Sequence, residues 1–451
     1  MSRLALTYLK NWLTDPGRKP MVIRGARQVG KTWLVRELAK ETGKRLIELN
    51  FEKNRQHLTF FESNDPNVIL KQLASSLNLT IDPDQTILFL DEIQVVPLLL
   101  SKLRWFAEDL PQLAVITAGS LLDFVLDSHE FSMPVGRITY MHLEPLTFEE
   151  FLDANKKTQL VNYLQNFNWQ EPIPLALHLQ LMDLFKEYLI IGGMPAAVYS
   201  WTEQNSLLKI SQIHHDLLGT YRDDFAKYAG KIALSHLDDL LVSIPKMLGD
   251  KFVFSRVNKE IQTATLKAGL TLLCQARIAH KVFATAGNGT PLAAEVNDKF
   301  FKVIFLDVGL VSGMLNLKLD KIHDILDINL INSGGISEQV AGQLLRSLEP
   351  FFVAPALFYW MREQKNSNAE IDYLIQHGNE IVPIEIKSGS TGSLKSLHLF
   401  MALKKLSRAL RINSDLPSIV NVKTKTHREE IEYKLYSLPF YLIGQIHRLL
   451  I

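Results

Sequence analysis

Gly25-Ala26-Arg27-Gln28-Val29-Gly30-Lys31-Thr32, the heart of the stretch MVIRGARQVGKT at residues 21–32, decides the fold class. It fits the pattern G-x-x-x-x-G-K-[ST]. A short apolar run, Met21-Val22-Ile23, precedes it and suits a buried strand, while residues 33–40 suit a helix, which is the setting a phosphate loop needs. Glycines let successive backbone N–H groups curl around phosphates, and the helix N-terminus adds the positive end of its dipole. The expectation is that residues 25–32 bind ATP, with Lys31 at the β- and γ-phosphates and Thr32 holding Mg²⁺.

A second motif supports the first. Residues 86–94 read TILFLDEIQ, in which four consecutive apolar residues, 87–90, predict a strand buried on both faces of a parallel sheet. Asp91 and Glu92 follow at its carboxyl end, where open α/β sheets bind ligands. Asp91 is expected to bind Mg²⁺ and Glu92 to polarise the attacking water. Residues 45–51, 113–120 and a segment after Gly136-Arg137 read as further strands, separated by helical stretches at 56–79 and 98–108. In such a sheet Thr117 and Ser120 end beside Asp91. Two readings of their hydroxyls stand, a sensor of the γ-phosphate or a plain helix cap. Arg137 likewise has two readings. One is a charge-neutralising arginine for the transferring phosphoryl group, in cis or across a homo-oligomer interface, and the other is a surface ion pair.

The chain has 451 residues, of which 47% are apolar and 22% charged, with a net charge of +1, enough for two to four soluble domains and no global bias towards nucleic acid. The single cysteine, Cys274, excludes an internal disulfide and any cysteine-cluster metal site. No run reaches the roughly 18 apolar residues of a membrane span. The best candidate, residues 188–201, is broken by Gly192, Gly193 and Pro195, and the charged start is not a signal peptide. These features predict a cytoplasmic protein with no membrane partner.

The run RGARQVGKT, the LDEIQ and TAGS strand ends, and Gly136-Arg137 followed by LEPLTFEEFL at residues 143–152 resemble a prokaryotic branch of the AAA-type ATPases. Gly192-Gly193-Met194-Pro195, FFKVIFLDVGL at residues 300–310 and residues 370–387 extend the likeness over nearly the whole chain. The resemblance implies an α/β protein: a P-loop parallel-sheet ATPase core at 1–154, a helical lid at 155–235, a winged helix at 236–320, and a restriction-endonuclease-like α/β domain at 321–451. In the winged-helix segment, three short helices precede a hairpin with its tip at residues 287–290. DNA contact there would rest on Lys267, Lys259, Arg277 and Lys281, a thin basic set that equally suits a spacer or a protein-docking module.

Residues 369–388 alternate cleanly about Gly378-Asn379. Ile371, Tyr373 and Ile375 share one face with Val382, Ile384 and Ile386, while Glu370, Asp372, Glu385 and Lys387 share the other. A two-residue turn puts Asp372 opposite Glu385 and Glu370 opposite Lys387. Facing carboxylates need a cation between them, which Lys387 and a divalent metal would supply. The alternative is a solvated charged face. The resemblance to a restriction-endonuclease core implies a Mg²⁺ site of Asp372, Glu385 and the helix-borne Glu338, with Lys387 beside it as the catalytic lysine.

Overall fold

Unbroken apolar runs leave β3 (Thr86–Asp91) and β4 (Ala114–Gly119) no polar face to show, and both are buried along their whole length. With β1 (Met21–Arg24), β2 (Arg45–Asn50) and β5 (Thr139–His142) they form a wholly parallel sheet in the order β2-β3-β4-β1-β5. The register sets Asn50 opposite Asp91 and Leu90 opposite Thr117. Met21 starts opposite Thr139, so the chain before β5 lies at the amino edge of the sheet, away from the loop that follows Arg24. Ile47, Leu49, Leu88 and Leu90 pack with Leu103 and Phe106 of the helix Leu98–Asp109. Each such fully buried side chain contributes about 1.5–3 kcal/mol.

The computed structural model describes residues 3–127, 134–317, 334–362, 369–387, 394–425 and 430–450. Residues 332, 333 and 388 lie outside them. Two compact units result. The first comprises Met1–Glu144, Gln275–Arg277 and Glu349–Ala354, and the second Pro145–Cys274, Ile278–Leu348 and Pro355–Ile451. Among the described residues no helix is long and apolar enough to cross a membrane.

The second unit opens with helices. Phe148–Ala154 starts on a capping box in which Thr147 Oγ1 accepts from the Glu150 N–H and the Glu150 carboxylate accepts from the Thr147 N–H. Leu175–Ile191 and Pro195–Gln204 are joined through Gly192 and Gly193, with Gly192 at φ +75. A side chain on Gly193 would run into the Leu146 carbonyl, so only glycine lets the two backbones approach. Its N–H donates to Asp307 Oδ2 at 2.6 Å, while Asp307 Oδ1 accepts from Gly309 and Leu310 at 3.0 and 3.2 Å and caps the helix Val308–Met314. Two phrases far apart in sequence, GGMP and FLDVGL, therefore meet on one buried carboxylate.

Helices Leu234–Ser243, Phe254–Val257 and Thr263–Gln275 precede β6 (Ala279–Thr285) and β7 (Val296–Phe305), the element order expected of a winged helix. The hairpin differs from expectation. A short 3-10 turn, Leu292–Glu295, stands where the return strand was expected, and β7 starts at Val296. Moreover, β6 pairs in parallel with β8 (Leu357–Met361), with Val282 opposite Leu357. The hairpin is thus the edge of an eight-stranded mixed sheet, β12-β13-β11-β10-β9-β8-β6-β7. Its remaining strands are β9 (Glu370–His377), β10 (Glu380–Ile386), β11 (Arg408–Asn413), β12 (Ser418–Lys425) and β13 (Glu430–Pro439). A boundary at residue 320 divides this sheet instead of separating two cores.

Candidate functional site

The loop Gly25–Gly30 leads straight into the helix Lys31–Thr42, whose N-cap Gly30 adopts φ +97. Gly25 is held to glycine by crowding, since a Cβ there would meet the Leu143 carbonyl oxygen at 2.5 Å. Lys31 is buried and donates to the carbonyls of Gly25 and Ala26 at 2.9 and 2.8 Å. Burial lowers its pKa to about 8 against the opposing pull of Glu92 and Asp91. Thr32 Oγ1 donates to Asp91 Oδ2 at 3.2 Å, and Asn50 Nδ2 donates to the same oxygen at 3.2 Å. Burial, then the charge of Glu92, raises the Asp91 pKa. Thr32 and Asp91 thus offer two adjacent hard oxygen donors at a helix N-terminus, a set that fits Mg²⁺.

Glu92 follows in the left-handed region at φ +54 and accepts from Gln94 Nε2 at 2.6 Å. Gln94 carries no weight in the sequence reading beyond its place in LDEIQ, yet it fixes the carboxylate expected to act on water. A Cβ on Gly119 would overlap Gln94 Oε1, so the β4 end is shaped to admit this side chain. Thr117 and Ser120 are buried there, and their hydroxyls have no hydrogen-bond partner among the described residues. Buried hydroxyls without a partner are costly.

A family model described as "AAA domain" matches residues 17–152. These residues are an AAA domain. Two further models, each described as a domain of unknown function, match residues 182–321 (DUF8612) and 333–441 (DUF4143). No curated protein matches the chain. Solved structures similar to it include the Walker-type ATPase PABY2304 of Pyrococcus abyssi, at 14% identity and TM-score 0.44, covering 70% of this chain and 95% of that one. The Aeropyrum pernix ORC2 protein shares 13% identity at TM-score 0.34, covering 71% and 92%. The Thermotoga maritima RuvB Holliday junction branch migration motor shares 17% at 0.30, covering 66% and 93%. At such scores these likenesses add nothing to the assignment, which rests on the family match and the loop.

Two arginines of the first unit are each held by an acid. Arg137 precedes β5 at the amino edge of the AAA-domain sheet, where its Nε donates to Glu108 Oε1 at 2.7 Å in a half-exposed pair. From that edge it cannot reach the phosphate loop of its own chain, so a role in cis is excluded. Arg277, expected near the hairpin as a DNA contact, instead donates to Asp123 Oδ2 at 2.6 Å. Asp123 also binds Arg24, at the end of β1, at 2.6 Å. Arg277 Nη2 lies 3.2 Å from His142 Nδ1, and burial followed by the charges of Arg277 and Arg24 lowers the His142 pKa to about 4. The Arg277 charge also depresses Lys31, placing it within electrostatic reach of the phosphate loop.

In the second unit the β9–β10 ladder runs from Glu380 opposite His377 to Ile384 opposite Tyr373, the register that carries Glu385 opposite Asp372. Two cations stand beside these acids, Lys387 as expected and Lys302, which was not foreseen. Lys302, from β7, places Nζ 2.8 Å from Glu338 Oε2, 2.5 Å from Glu370 Oε1 and 3.9 Å from Asp372 Oδ1. Lys387 Nζ lies 2.9 Å from Glu385 Oε1. Burial raises the pKa of both Glu338 and Glu385. For Lys302, burial alone would lower it, but Glu338, Asp372 and Glu370 together outweigh burial and hold it well above its ordinary value. Among the described residues no three His, Cys, Asp or Glu side chains converge as metal ligands. The expected set of Glu338, Asp372 and Glu385 is therefore not gathered about one point among the described residues.

Proposed function

We propose that this chain is an ATP-hydrolysing, Mg²⁺-dependent switch, in which the AAA domain turns nucleotide state into a change felt by a second unit that docks a partner without cutting it. The observation that carries the reading is the meeting of Lys31, Thr32, Asp91 and Glu92 at the carboxyl edge of one parallel sheet. Lys31 binds the β- and γ-phosphates, which supply the anion its buried ammonium lacks. Mg²⁺, when held by Thr32 and Asp91, neutralises charge on the phosphates. Glu92, oriented by Gln94, accepts the proton of the attacking water, while Thr117 and Ser120 can donate to the γ-phosphate. Arg277, held by Asp123 and within electrostatic reach of Lys31, adds positive charge beside the phosphate loop.

The nucleic-acid reading has less behind it. Arg277 is paired with Asp123, and Lys281 stands 5.0 Å over the Phe301 ring, which leaves Lys259 and Lys267 of the four expected cations. ATP binding by the whole chain tests the proposal, and Lys31→Ala should abolish it. Retained tight binding in that variant would overturn the assignment of the loop, and Mg²⁺-dependent cleavage of DNA or RNA by the parent protein would restore the nuclease reading.

A further inference from the structure

Lys302 comes from a strand that the resemblance assigns no role, yet it stands beside Glu338 and Asp372, two of the three acids of the expected metal set. An ammonium offers three N–H donors, and three carboxylates surround this one: Glu338, Glu370 and Asp372. The other oxygen of Asp372, Oδ2, accepts from the Ile386 N–H at 2.7 Å, so the beginning of a metal shell is taken by backbone. Glu338 is fixed from outside the cluster as well. The Tyr373 hydroxyl donates to its carbonyl at 2.7 Å, tying the helix Gly335–Arg346 to β9, and Gly249 packs against its carboxylate. Lys302 itself is 2% exposed, and its Nζ lies 5.4 Å from the centroid of the Tyr359 ring. Octahedral Mg²⁺ needs six oxygens at about 2.0–2.1 Å, several of them water. The Lys302 ammonium takes up one carboxylate oxygen each of Glu338 and Glu370, while Glu385 Oε2 stays buried without a partner.

We propose that the Lys302 ammonium is a resident counter-ion that takes the place expected of a divalent metal on Glu338 and Asp372, a clasp between β7, β9 and the helix Gly335–Arg346. The clasp is independent of nucleotide binding in the AAA domain, so it stands or falls separately from the reading of the phosphate loop.

Mn²⁺ titration of the nucleotide-free full chain, followed by electron paramagnetic resonance in an Asp91→Asn background, tests this directly. The parent should show no site tighter than millimolar. A tighter site that is lost on Asp372→Asn would overturn the proposal. Lys302→Met should bind Mn²⁺ at least tenfold more tightly than the parent, and equal binding by a folded variant would overturn it too. Should Lys302→Met not fold, adding Glu338→Gln removes the acid left without its partner and should restore folding. A double variant that remains unfolded counts against the clasp as an exchange of charge for charge.

Discussion

Two buried lysines beside carboxylates do opposite things in this chain. Lys31 touches only the backbone carbonyls of its own loop, and burial pulls its pKa down to about 8. Lys302 touches carboxylates on two sides, and they hold its pKa well above the ordinary value. The first is a positive charge with no anion in direct contact, which is what a phosphate-binding residue must be. The second is already matched. Burial of a lysine therefore says little about its use; the identity of the atoms it touches says nearly everything.

Stability breaks or sharpens that contrast most strongly. Lys302→Met should cost about 3–5 kcal/mol, because it leaves buried acids without their partner, whereas Lys31→Met should stay within about 1 kcal/mol. Urea denaturation of the nucleotide-free proteins measures both, and equal losses would erase the distinction. The next largest effect concerns turnover. Glu92→Gln should keep ATP bound while slowing hydrolysis on the order of a hundredfold, since Asp91 and Lys31 survive and only the proton acceptor is lost. Wild-type turnover in that variant would remove Glu92 from the chemistry.

Smaller again is the effect of the two arginines. Arg277→Gln should lower kcat about tenfold, roughly 1.4 kcal/mol, with little change in nucleotide affinity. Arg137→Ala should leave turnover within about twofold of the parent. A large loss in Arg137→Ala that is rescued by mixing with Lys31→Ala protein would instead place Arg137 at the site of a neighbouring subunit. The mildest effect is that of acidity. His142 has a folded pKa of about 4 against 6.5 for the free side chain. Its contribution to stability is therefore complete above pH 6.5 and is lost as the pH falls towards 4. His142→Asn should flatten that part of the pH–stability curve, and an unchanged slope would contradict the burial assigned to the ring.

The AAA domain was legible because its signals are local. The phosphate loop carries its chemistry in eight consecutive residues, and β3 and β4 announce burial on both faces by their unbroken apolar runs. The register of Glu370–His377 against Glu380–Ile386 was legible for the same reason, since alternation and a two-residue turn at Gly378-Asn379 fix it together. Lys302 was not legible. Its partners come from β9 and from the helix Gly335–Arg346, and only the strand order β9-β8-β6-β7 brings that surface together. The partner of Arg277 was not legible, because Asp123 lies 154 residues away in sequence. For Arg137 the sequence left a role at the transferring phosphoryl group and a surface ion pair both open, and the Glu108 pair matches the second.

The pairing of β6 with β8 also governs how the protein can be divided. Cutting the chain at residue 320 would strip each strand of the neighbour that now occupies its hydrogen-bonding edge, with Val282 parted from Leu357 and Ala284 from Tyr359. Both fragments would then carry an open, apolar strand of the kind that seeks another strand from any source, and each is expected to precipitate or to dimerise edge to edge. Two stretches that are separate in the order of the sequence thus share one hydrogen-bonded edge.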